Sequence, residues 1–145
     1  MGTGRIAELW QTYQAPGWDG LYRRDGLARE AEVDGPGLAW LDLGARFDVD
    51  ALLERDPENV SSVDPDPRTL VALPDGSGYV CGGASDMGSE GFFARLDPHR
   101  QLVWLVFLSD SNPFERTTVE GSLATFANNL GNAITIDLDD PDFAL

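Results

Sequence analysis

The chain contains no lysine. All ten of its basic residues are arginines, set against 25 acids, for a formal net charge of −15 over 145 residues. It has one cysteine, Cys81, and one histidine, His99. A single cysteine excludes an internal disulfide and a cysteine-rich zinc site. Zinc favours Cys and His ligands, and the chain offers one of each. No apolar run approaches the roughly 20 residues that a membrane-spanning helix needs. The N-terminus, Met1-Gly2-Thr3-Gly4-Arg5, lacks a charged segment leading into an apolar one, so no cleaved signal peptide is expected. These absences together point to a cytoplasmic protein.

The apolar fraction of 42% fits an ordinary globule, and the length is enough for one domain with a core that needs no disulfide or metal. The expectation is a single domain over residues 1–145: helical and irregular over 1–67, a β-meander over 68–138, and an acidic tail over 139–145. A lysine-free composition rich in Gly, Ala, Asp and Arg is what a GC-rich genome tends to produce. The acid excess has physical consequences whatever its origin. It repels nucleic-acid phosphates and anionic membranes and attracts basic partners at long range, so binding to DNA or RNA through a basic face is excluded as a working hypothesis.

The chain is organised around Gly91–Phe107. Phe92–Leu96 and Leu102–Leu108 read as two strands joined by Asp97-Pro98-His99-Arg100-Gln101. A strand with one buried face alternates apolar and polar residues. Leu102–Leu108 has no polar position, which predicts a central strand covered on both faces. Its β-branched and aromatic residues favour strand over a short buried helix.

Upstream, Ile6, Leu9, Trp10 and Tyr13 share one helical face, predicting a helix over Thr3–Gln14. Trp18–Gly37 reads as mostly loop with at most one helical turn, with adjacent Arg23 and Arg24 and an acidic patch at Glu30, Glu32 and Asp34. Leu38–Leu43 is a candidate strand with Trp40 as its core residue. Phe47–Arg55 is a candidate helix capped by Asp48 or Asp50. A connector, Val63-Asp64-Pro65-Asp66-Pro67, follows. Downstream of it, strands are predicted at Thr69–Leu73, Gly78–Gly82, Phe114–Val119, Leu123–Ala127 and Ala133–Leu138, with Pro74-Asp75-Gly76 as a hairpin turn. Strands every 8–12 residues joined by short turns predict consecutive antiparallel pairing. The fold class is therefore α+β: a mostly antiparallel meander of about six strands, with one or two helices packed on one face.

Chemical motifs are sparse. His99 falls in an exposed turn. Cys81 ends a strand with no positive charge nearby to lower its pKa, and free cysteine is usually a small buried apolar residue. Asp64, Asp66 and the acidic tail lack the alternation of a calcium loop. The segment Gly82–Gly91 matches neither phosphate-loop pattern and holds two acids; it reads as a long connection and a candidate binding loop. With 25 acids, some pair always stands at a hydrolytic distance, so that spacing carries no information. No metal and no cofactor is expected.

Four stretches, Gly88-Ser89-Glu90-Gly91-Phe92-Phe93-Ala94, Leu102-Val103-Trp104-Leu105-Val106-Phe107, Ser111-Asn112-Pro113-Phe114 and Ala127-Asn128-Asn129-Leu130-Gly131, carry a resemblance over about residues 78–138. Together they resemble small bacterial immunity proteins that accompany polymorphic or contact-dependent toxins. The resemblance implies a non-enzymatic module that binds and neutralises a cognate toxin, a basic protein domain. Many nucleic-acid-cutting toxins have basic active sites, which an acidic inhibitor approaches quickly by electrostatic steering. Candidate partner-binding residues are Asp86 and Glu90 in the glycine-rich segment and Asp137, Asp139, Asp140 and Asp142 at the C-terminus. Alternatives are a small-ligand-binding or regulatory domain with the Gly82–Gly91 loop over a pocket, and a carboxylate-based hydrolase.

Overall fold

A computed structural model describes residues 4–145. Among the described residues two α-helices and twelve strands are formed, every strand pairing is antiparallel, and the class is α+β. In chain order the elements are α1 (Arg5–Gln11), β1 (Gln14–Pro16), β2 (Gly20–Arg23), β3 (Ala28–Val33), β4 (Leu41–Arg46), α2 (Val49–Arg55), β5 (Val60–Pro65), β6 (Val71–Ala72), β7 (Tyr79–Ser85), β8 (Gly91–Leu96), β9 (Leu102–Leu108), β10 (Phe114–Glu120), β11 (Leu123–Asn128) and β12 (Ala133–Asp137). A nine-stranded sheet has the order β1-β5-β7-β8-β9-β2-β3-β4, with β6 also pairing with β7, while β10-β11-β12 form a separate three-stranded sheet.

The molecule is thus three layers deep. On one face of the large sheet, Ile6, Leu9 and Trp10 of α1 and Val49 and Leu53 of α2 pack with Tyr22, Phe92, Ala94, Leu105 and Phe107. On the other face, the small sheet contributes Phe114, Ala124, Phe126, Ile134 and Ile136 against Leu21, Phe93, Trp104, Val106 and Leu108. This explains the unbroken apolar run of β9. All seven of its residues and all six of β8 are buried, because side chains of both parities meet a cover. Phe93 joins the layers: its ring stacks on Phe126 at 4.4 Å and meets Phe114 and Trp104 edge-on at 5.2 and 6.0 Å.

The expected meander of about six strands is too small and too simple. The last three strands leave the large sheet instead of extending it, and the place beside β9 is taken by β2 from the N-terminal part. Residues 1–67 are therefore not a helical and irregular prelude, because five strands form there. These strands escape the period-2 rule for clear reasons. β2 is buried at all four positions, and a bulge between Arg29 and Ala31 shifts the register of β3. The connector 63–67 overlaps β5, which runs Val60–Pro65.

The helix expected over Thr3–Gln14 is shorter. Thr3 lies outside the described residues, and α1 ends at Gln11. Tyr13 takes a left-handed φ of 54° and turns the chain into β1. The second helix forms as expected, with the Asp48 side chain accepting from the backbone N–H groups of Asp50 and Ala51. Gly76 supplies the positive φ (78°) of the expected hairpin turn. No helix among the described residues is long and apolar enough to cross a membrane.

The acidic tail is more than surface. Asp139 and Asp140 are exposed and Asp142 is half-buried, but the tail's backbone is held from within by three buried donors. The Arg23 guanidinium donates to the carbonyls of Asp142 and Ala144, both at 2.8 Å. Arg95 donates to those of Leu138 (3.2 Å) and Phe143 (3.0 Å), and the Trp104 indole N–H donates to Phe143 at 2.8 Å. Phe143 is buried against Trp104, so the tail closes one end of the space between the two sheets.

Candidate functional site

The edge of the large sheet formed by β3 and β4 carries the most chemically distinctive surface. Strand alternation sends Leu41 and Leu43 of β4 to one face and Asp42 and Gly44 to the other. Each face borders a depression, and each depression has an exposed indole.

The first is a groove of about 410 Å³ between β4 and β12, walled by Leu41, Leu43, Ile134, Ile136 and Phe143 and rimmed by Trp40, Asp137, Asp140 and Asp142. Trp40, expected in the core, is 43% exposed. The strand begins one residue after it, at Leu41, and Asp34 accepts from the backbone N–H groups of Ala39 and Trp40 to fix the turn before it. Leu38, at φ 54°, fills the core position in its place.

The second is a cleft of about 440 Å³ lined by Trp18, Asp19, Glu30, Glu32 and Asp42. Glu30, Glu32 and Asp42 form no salt bridge among the described residues. Asp19 accepts from the Ser109 backbone N–H at 3.0 Å. Burial pushes its carboxyl above the usual range, the bonds from Ser109 oppose this, and the charges of Glu90 and Asp110 add to the rise. Trp18 is 48% exposed, and its carbonyl accepts the buried Tyr22 hydroxyl, which anchors the backbone beneath the indole.

Only some of the six candidate acids lie at this edge. Asp137, Asp140 and Asp142 come together at the first groove. Asp142 is already paired with Arg29 at 3.0 Å, whereas Asp137 and Asp140 form no salt bridge among the described residues. Glu90 does not line the second cleft; its charge acts on Asp19, and its own carboxylate accepts from Met87 N–H within its loop. Asp139 stands apart, beside Arg95 and Asp75 at a smaller depression. Asp86 is a structural acceptor for Ser62 N–H.

The expected loop over Gly82–Gly91 is also shorter. Gly82, Gly83 and Ala84 lie within β7, and Gly91 begins β8. A Cβ at Gly83 would collide with the Asp64 carbonyl oxygen of β5, so this glycine serves close strand packing and not a ligand.

Comparison with protein-family models, with curated proteins and with solved structures finds no match to this chain. The chemistry of the edge therefore has to speak for itself. Cys81 is buried, and burial raises its thiol to about 12, which leaves it neutral and unreactive at neutral pH. His99 is exposed in the β8–β9 turn. Asp66 is bound to Arg68 at 2.7 Å and caps the short turn before β6. No group of three or more His, Cys, Asp or Glu among the described residues is arranged to hold a metal ion.

What the edge offers is contact chemistry: two exposed indoles, apolar walls and a surplus of carboxylates. Trp18, Asp19, Trp40 and Asp42 were not among the sequence candidates. One signal was present for the acids, since Glu30 and Glu32 stand two apart, the spacing that puts strand residues on one face.

Proposed function

We propose that this protein is a non-enzymatic protein-binding module, an immunity-type inhibitor that neutralises a basic toxin domain through the β3–β4 edge. The observation that carries this reading is the placing of both exposed tryptophans, Trp18 and Trp40, among uncompensated acids on the two faces of one sheet edge. Exposed tryptophan is enriched at the centre of protein interfaces, where it buries a large area at little conformational cost. The other two tryptophans, Trp10 and Trp104, are buried, so the edge draws on half of the chain's complement. The net charge of −15 supports rapid encounter with a basic partner.

Co-expression with a toxin domain encoded next to this gene tests the reading: growth is restored by the native chain. Rescue weakens at least tenfold in toxin tolerance with Trp18→Ala combined with Trp40→Ala, at an unchanged melting temperature. Failure of the soluble native chain to rescue sinks the proposal. Association with the toxin also slows as salt brings the screening length below about 10 Å; a salt-independent rate would reduce the acid surplus to a solubility role.

A further inference from the structure

We propose that the groove between β4 and β12 receives an extended basic segment of the partner as an added antiparallel or parallel strand on the β12 edge. This rests on the protein-binding reading and specifies how the contact is made. The register of β12 fixes which backbone groups are on offer. Asn128 N–H donates to the Asn132 carbonyl and Leu138 N–H to the Ser122 carbonyl, both at 2.8 Å, and Phe126 and Ala124 lie opposite Ile134 and Ile136 between them. Hydrogen-bonded pairs thus fall at even-numbered residues of β12. The N–H and C=O groups of Ala133 and Thr135 point the other way, away from β11, and β12 has no second strand neighbour among the described residues.

Sheet edges are normally blunted by bulges, prolines, inward charges or very short strands. The register of β12 against β11 is unbroken over five residues, with no proline and no basic side chain in the strand. The facing edge strand, β4, is different. Its Leu43 and Gly44 carbonyls are engaged by the Arg29 guanidinium at 3.4 and 3.0 Å. One wall of the groove is therefore an open hydrogen-bonding edge, and the other supplies Leu41, Leu43 and the exposed Trp40 indole.

Charge selects the occupant. Asp137 and Asp140 rim the groove without a salt-bridge partner among the described residues. A second copy of this chain would bring the same carboxylates and another net −15 to the contact, which disfavours self-association. A basic segment with alternating apolar residues satisfies all three features. Its backbone pairs with Ala133 and Thr135, one set of side chains lies on Trp40 and Leu41, and its cations meet Asp137 and Asp140. Main-chain bonds give such an added strand its affinity, and alternate side chains give it specificity.

The probe is an end-blocked octapeptide of alternating arginine and valine, added to the full chain and followed by amide hydrogen exchange. The expected result is exchange at Ala133 and Thr135 slowed at least tenfold, with no protection from the corresponding glutamate–valine peptide. Ala133→Pro and Thr135→Pro each remove an outward N–H without taking a bond from β11, and each weakens peptide binding at least tenfold. Unchanged exchange at the two amides overturns the proposal, as does full binding by a folded proline variant. Should the proline variants unfold, Asp137→Arg combined with Asp140→Arg takes their place: loss of binding supports the groove, and retained binding overturns it. Toxin rescue that survives Thr135→Pro would remove the added strand while leaving the inhibitor reading intact. Peptide protection in a protein that rescues no toxin would do the reverse.

Discussion

The β8–β9 hairpin and the β3–β4 edge belong to the same sheet and live under opposite constraints. In the hairpin every strand side chain is buried, and the covers above and below it fix which residue types fit. At the edge, four of the six β4 residues are exposed and both faces open onto depressions. The contrast separates two uses of aromatic residues. Phe93 and Trp104 hold layers together, whereas Trp18 and Trp40 are held out from the same fold by ordered turns. A sheet whose burial is concentrated at its centre leaves its edge free of the packing constraint.

The largest test of this contrast is Phe93→Ala. The Phe93 ring bridges both sheets through three aromatic neighbours, and removing a buried phenylalanine typically costs about 3–5 kcal/mol through lost burial and the cavity left behind. Urea denaturation checks it against Trp40→Ala, for which a change within about 0.5 kcal/mol is expected of an exposed residue. Comparable losses in the two variants would break the comparison.

A smaller effect is expected at the turn of the same hairpin. Asp97 accepts from the backbone N–H groups of His99 (2.8 Å) and Gln101 (3.0 Å) and from the Arg24 guanidinium (2.9 Å). Burial alone would raise its pKa, but the bonds from Gln101, Arg24 and His99 outweigh it and hold the carboxyl below its usual 3.8. A lowered folded pKa contributes stability that is full above the unfolded value and is lost as pH falls through the folded one. Asp97→Ala is expected to cost about 1–2 kcal/mol at pH 7. The gap from the native chain should close in melts taken progressively below pH 3.8. A gap that persists unchanged at low pH would assign the loss to packing instead of charge.

The same contrast explains what could be read from the sequence. The all-apolar run Leu102–Leu108 announced a doubly covered strand, and Ile134, Ile136 and Leu138 announced the buried face of β12; both are buried as expected. The N-terminal strands were hidden because their identity is set by neighbours. Gly20–Arg23 becomes a strand by pairing with Trp104–Phe107, some 80 residues away, and nothing local to it signals this. The small sheet was hidden because a turn at Ser109–Pro113 looks the same whether the chain returns to its own sheet or crosses a face. The tail's acids were visible, but not the buried arginines that hold its carbonyls, since Arg23 and Arg95 are drawn inside by backbone acceptors that composition cannot show. At the candidate edge, Trp40 was misplaced for the usual reason that a tryptophan among apolar residues reads as core.

The smallest effect has the opposite sign. At the edge, the Asp19 carboxyl pKa is raised, chiefly by burial, with Glu90 and Asp110 adding repulsion. A raised folded pKa in an acid means that the charged form destabilises the native state at neutral pH. That penalty begins to lift as pH falls through the folded value and is gone below the unfolded 3.8. Asp19→Asn keeps an oxygen for Ser109 N–H and removes the charge, so it is expected to stabilise the protein at pH 7. The gain should stay under about 1 kcal/mol, because solvent still screens a partly exposed group. In paired melts the advantage should shrink from pH 7 toward pH 3.8 and vanish below it, whereas the Asp97 variant converges on the native chain only on the acid side of 3.8. A charge that lowers stability and yet sits beside Trp18 in an acidic cleft is what a contact surface would retain, since groups arranged for binding commonly work against the fold that carries them. If Asp19→Asn proves destabilising at pH 7, the cleft is a structural cluster like the hairpin turn, and the distinction between centre and edge fails at the point where it makes its sharpest claim.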